Sequence, residues 1–141
     1  MQGHPCIDRR GSFLNLFRAD ESAFVRSWGA RGIGQVNLSS SQTVGTVRGL
    51  HLQAAPHSEA KLVRCLKGKV WDVAVDLRRG SATYGKWQAI ELSPERCNAL
   101  LIPEAAPMAF RYWKQAVSYF ICIPDPGCRR RKRACAMTIP S

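Results

Sequence analysis

The 141-residue chain is short of acidic groups, of histidine and of long apolar runs, and each shortage narrows what the protein can be. No apolar stretch approaches the roughly 18 to 20 residues that a bilayer-spanning helix needs, and the opening "MQGHPCIDRRGSF" lacks the apolar segment of a signal peptide. The expectation is a soluble, cytoplasmic protein with no membrane partner. The three histidines, His4, His51 and His57, form no HxH or HxxxH pair, and the six cysteines at 6, 65, 97, 122, 128 and 135 include no CxxC spacing. A zinc site would need clustered Cys and His, and a disulfide framework would go with an export signal. Reduced thiols, no metal and no other cofactor are therefore expected. Internal repeats, long linkers and low-complexity tracts are also missing, so nothing supports a domain boundary, while 45% hydrophobic residues suffice for one core.

Ten acidic residues face 21 basic ones, but the run "RRRKR" at 129–133 supplies five of the 21 and leaves a body near +6, from 16 against 10. A modestly positive body suits an anionic ligand such as a nucleotide. The run itself reads as a solvated tail, and no aromatic residue interleaves it to stack on bases, so nucleic acid is not an expected partner.

What is present is strand. "KVWDVAVDLR" alternates with period two, so Trp71, Val73, Val75 and Leu77 form a hydrophobic face and Val70, Asp72, Ala74 and Asp76 a partly polar one. "KLVRCLKGKVWDVAVDL" reads as two strands joined by a tight turn at Lys67-Gly68. Further extended segments are predicted at 32–38, 44–53, 85–92, 98–102 and 117–123, with a helical turn in "LSPERCNAL" where Ser93 can cap and Pro94 can occupy the first turn. Many short strands with little helix predict an all-β sandwich or closed barrel.

In a barrel the polar face of a strand can look into an internal pocket, which is how Asp72 would matter. On "TVRGLHLQ", Val47, Gly49, His51 and Gln53 would share one face and Arg48, Leu50 and Leu52 the other, unless the strand bends at Gly49. A His, a Lys and an Asp converging on one pocket suit proton abstraction next to a carbonyl: neutral imidazole is the base, and the ammonium stabilises the developing enolate oxygen. Spacing alone leaves the plainer readings open, in which His51 is a core or surface residue, Lys61 a surface lysine and Asp72 a solvated strand residue.

The ordered string "GTVRGLHLQ…KLVRCLKGKVWDVAVDLRRGSATYGKW…LSPE…LLIP" resembles the dTDP-4-dehydrorhamnose 3,5-epimerase family, whose usual pattern is close to GTLRGLHYQ, KLVRVxxGxVxDVAVDLRxxSPTFGxW, LSxxN and IPxGFAHGF. "DRRGSF" at 8–13 and "QVNLSSS" at 35–41 extend it upstream. The resemblance implies a cupin-type jelly-roll barrel over residues 1–126, a basic divergent tail at 127–141, a homodimer, and a dTDP-linked 4-keto-6-deoxyhexose as substrate. By the same resemblance His51 falls on the catalytic base, Lys61 on the lysine near the C4 oxygen and Tyr119 on the tyrosine that returns a proton from the opposite face. Arg48 falls on a phosphate-holding arginine, and Arg10, Phe13, Gln35, Asn37, Gln53 and Asp72 on ligand-facing positions.

Three departures accompany the match. Met108 stands where the family has a pocket histidine, Asn15 stands where many members have glutamate, and no aspartate follows Asp125 to orient the histidine. The expected function is epimerisation at C3 and/or C5 of a dTDP-4-keto-6-deoxyhexose, in an enzyme slowed by the missing carboxylate. The alternative is a non-catalytic sugar-nucleotide-binding or partner subunit that keeps the scaffold.

Overall fold

A computed structural model describes residues 3–18, 32–52, 58–104, 106, 108–112 and 116–124. Gln53 and the predicted tail at 127–141 lie outside the described residues. Ten strands appear in chain order: β1 (Cys6–Asp8), β2 (Gly11–Phe13), β3 (Gln35–Ser41), β4 (Val47–His51), β5 (Glu59–Lys67), β6 (Val70–Val75), β7 (Trp87–Leu92), β8 (Leu100–Ile102), β9 (Met108–Tyr112) and β10 (Ala116–Pro124). β1 and β2 form a hairpin of their own, and the rest make two four-stranded antiparallel sheets, β3-β10-β5-β8 and β4-β9-β6-β7.

The alternation in β5 and β6 dictates this layering, because each strand has one face that must be covered. Val63 and Cys65 of β5 and Ile102 of β8 meet Val70 of β6, Leu92 of β7 and Met108 of β9, and these six residues form the core between the sheets. The turn at Lys67-Gly68 is present, with Gly68 at φ 78°, where a Cβ-bearing residue would be strained. The two strands it joins do not pair, which corrects the hairpin reading: β5 lies between β10 and β8, and β6 between β9 and β7. Both strands need an apolar layer opposite them, and crossing from one sheet to the other supplies it.

No helix occurs among the described residues, and the predicted helical turn is a hydrogen-bonded loop. Ser93 Oγ accepts from the Arg96 amide at 3.3 Å and the Pro94 carbonyl from the Cys97 amide at 3.1 Å, which is the expected cap. The buried Asn98 then ends the turn, accepting from the Ser93 amide through Oδ1 and donating through Nδ2 to the Glu91 carbonyl at 2.8 Å. At the other end of β7 the Asp76 carboxylate collects the amide and guanidinium of Arg78 and the hydroxyls of Ser81 and Thr83. These bonds, Arg78 first among them, hold its pKa well below the usual carboxylate range and fix the β6–β7 loop.

Candidate active site

Inner-face positions follow from register, since residues directly opposite in a sheet share a face. In the second sheet one rung runs Arg48, Phe110, Asp72, Ile90 and the next His51, Met108, Ala74, Gln88. Three steps along β4 from Arg48 to His51 match only two along β9, so β4 carries one extra residue there. The bulge brings Arg48 and His51 to the same face, as the glycine inside "RGLH" suggested. Glycine is required: a Cβ on Gly49 would overlap the Cβ and Cα of Ala109.

In the facing sheet Lys61 is in register with Ile102 on one side and Cys122 on the other, and Cys122 with Gln35. Asn37 lies on the next rung of the same face, through Phe120 and the core residue Val63. Lys61, Gln35 and Asn37 therefore stand on the face turned towards the positions of Arg48, His51 and Asp72. Asn37 and Arg48 are exposed, whereas Gln35, His51 and Lys61 are half-buried.

Asp72 lies deepest, at 0% exposure, and the partly polar face of β6 is thus the inward one. Neither carboxylate oxygen has a well-formed hydrogen bond among the described residues, and His51 Nδ1 is likewise enclosed without a partner. Burial pushes the Asp72 carboxyl up to about 7, against the pull of the poorly aligned Val73 amide and of the Lys61 ammonium. The arrangement thus sets a buried carboxyl of raised proton affinity within electrostatic reach of the Lys61 ammonium and on the same inner face as His51, a set suited to moving protons.

Sequence reasoning overlooked Glu59. It stands two residues before Lys61 on the same face of β5, and its Oε2 is enclosed without a partner among the described residues. The period-two rule that placed Asp72 would also have found it.

Other predicted residues are not brought to this face. Tyr119 is in register with Leu38 and Arg64, positions that alternate with those of Lys61, Gln35 and Asn37. Arg10 and Phe13 sit on the β1–β2 hairpin, Phe13 70% exposed and Arg10 folded back on Asp8 with its Nη2 2.7 Å from Oδ2. The Arg10 guanidinium stabilises the Asp8 carboxylate and holds its pKa below the usual value. Among the described residues no three His, Cys, Asp or Glu side chains gather closely enough to hold a metal ion.

Two facing four-stranded antiparallel sheets with polar residues on their inner faces define a cupin-type jelly roll. The family described as dTDP-4-dehydrorhamnose 3,5-epimerase matches residues 1–128. A dTDP-4-dehydrorhamnose 3,5-epimerase from Sinorhizobium fredii is 44% identical over 119 residues, 83% of this chain and 60% of that protein. The crystal structure of the enzyme from Elizabethkingia anophelis superposes with a TM-score of 0.77 at 38% identity, covering 87% of this chain and 67% of that one. A Legionella pneumophila dTDP-6-deoxy-D-glucose-3,5-epimerase, solved in complex with dTDP-4-keto-L-rhamnose, gives 0.73 at 35% identity, covering 88% and 64%. The chain belongs to the dTDP-4-dehydrorhamnose 3,5-epimerase family. It spans about six-tenths of the length of the curated relatives from Sinorhizobium fredii and Shigella flexneri.

Proposed function

We propose that the chain epimerises a dTDP-linked 4-keto-6-deoxyhexose at C3 and/or C5 by proton abstraction and return. The observation that carries this reading is the β4 bulge, which turns His51 and Arg48 to the same inner face as Asp72, opposite Lys61. In this reading neutral His51 takes the proton next to the C4 carbonyl. The C–H electron pair moves into the C3–C4 or C4–C5 bond, the carbonyl π pair moves onto the C4 oxygen, and the Lys61 ammonium stabilises that oxygen. The buried Asp72 carboxyl lies within electrostatic reach of that ammonium. Arg48, exposed at the end of its rung, takes the pyrophosphate, while Gln35 and Asn37 contact the ligand from the facing sheet. Tyr119, whose place in register falls on the alternate face, is given no part in returning the proton, which comes from solvent to the side of the ring carbon away from His51 as the C4 carbonyl re-forms.

A dTDP-sugar substrate is supported by the Legionella relative and its ligand. The names of the relatives also favour an epimerase over a non-catalytic partner subunit. A homodimer reconciles the exposed hairpin with the ligand roles that Arg10 and Phe13 carry by resemblance, the hairpin of one subunit lying over the barrel of the other. The cytoplasm fits the free thiols of Cys6, Cys65 and Cys97. Deuterium incorporation into dTDP-4-keto-6-deoxyglucose, followed by NMR, tests the chemistry. Exchange at C3 or C5 that disappears in His51→Ala is expected, and exchange that survives in the variant would overturn the assignment.

A further inference from the structure

On the outer face of β5, Arg64 is only 5% exposed, and its Nε and Nη1 are enclosed without a hydrogen-bond partner among the described residues. This is an expensive arrangement. A buried lysine could shed its proton, but a guanidinium stays charged in proteins, so its cost is relieved only by an anion or by hydrogen-bond acceptors. Arg64 lines a cavity of about 350 Å³ between the N-terminal hairpin and the 93–97 turn. The other walls are largely apolar, with Leu14, Leu16, Leu66 and Pro94 among them. Glu95 also reaches the cavity, from a solvent-exposed position.

We propose that this cavity is a binding site for a small organic carboxylate with an apolar body, the carboxylate meeting the Arg64 guanidinium and the hydrocarbon covering Leu14, Leu16 and Leu66. Its size lies at the small end of ligand pockets, and an apolar lining with one convergent charged group is their usual composition. The guanidinium fork matches a carboxylate in two parallel hydrogen bonds. A phosphate dianion would have to be stripped of water against a single cation in apolar surroundings, which argues for a monoanion. The site lies on the face of β5 opposite to Lys61, so it is separate from the proposed sugar-nucleotide site.

Isothermal calorimetry with octanoate, kept below its micelle concentration, tests the proposal on the full chain. One saturable site per chain is expected, with 1-octanol and acetate each at least tenfold weaker because each lacks one half of the recognition, and with dTDP failing to compete. Arg64→Met, close in volume and uncharged, should weaken octanoate by about tenfold or more. Leu16→Trp, which fills the cavity from a half-exposed wall without removing the guanidinium, should exclude octanoate too. The absence of saturable octanoate binding, equal affinity for 1-octanol, or unchanged binding in either variant would overturn the site.

Discussion

Replacing Asp72 with asparagine should change how stability depends on pH, because this carboxyl binds its proton more tightly in the folded chain than in the unfolded one. Moving a carboxyl from 3.8 to about 7 corresponds to about 4 kcal/mol, at about 1.4 kcal/mol for each tenfold change in proton affinity. The sign follows from which state holds the proton. The contribution is fully present below the unfolded value near 3.8, is lost steadily as pH rises, and is gone above about 7. Asparagine keeps the shape of the protonated acid and does not titrate. Urea unfolding of parent and Asp72→Asn between pH 4 and pH 8 should therefore show the variant gaining on the parent as pH rises, by a total of order 4 kcal/mol. Asp8, Asp76 and Glu91 are all held more acidic than usual and give the opposite trend. They are common to both proteins, so the difference isolates Asp72. A difference that stays flat across this range would show that the carboxyl is ionised throughout and would refute the burial argument.

Gly49→Ala places a methyl group on the Ala109 side chain, and thermal unfolding should show a loss of about 2 kcal/mol or more, partly recovered in the double variant Gly49→Ala, Ala109→Gly. Burial pushes the Cys65 thiol up to about 11, so at pH 8 an alkylating reagent followed by peptide mass spectrometry should mark exposed Cys6 rapidly and Cys65 only on unfolding. Leu92→Ala, at a fully buried core position, should cost about 2 to 5 kcal/mol in denaturant midpoint analysis without changing dTDP affinity measured by calorimetry.

Much of the site was legible because strand alternation and one glycine carry it. The period-two pattern of "KVWDVAVDLR" separates Asp72 from Trp71, and the glycine in "RGLH" marks the bend that reunites Arg48 with His51. The hairpin reading of β5 and β6 failed for a physical reason. A turn specifies only that the chain reverses, and whether the two strands pair or part into facing layers depends on partners far away in sequence. β9 went unnoticed since "MAFRY" is short and alternates weakly, yet it carries the rungs that join β4 to β6. The Tyr119 assignment rested on a motif letter, whereas its face is set by how β10 is aligned against β3 and β5.

The position of β10 bears on how the chain comes to fold as it is synthesised. It lies between β3 and β5, so the first sheet cannot close until residues 116–124 have been made. Until then β3 and β5 each present an unpaired edge, and β3 shows the apolar Val36 and Leu38 to solvent. Loop closure over some eighty residues is slow compared with local turns, which leaves a nascent chain open to pairing with its neighbours on the same messenger. A change that delays β10, such as a proline placed near Phe120, would therefore be felt first as insoluble product during expression, before any defect at the barrel interior could be measured.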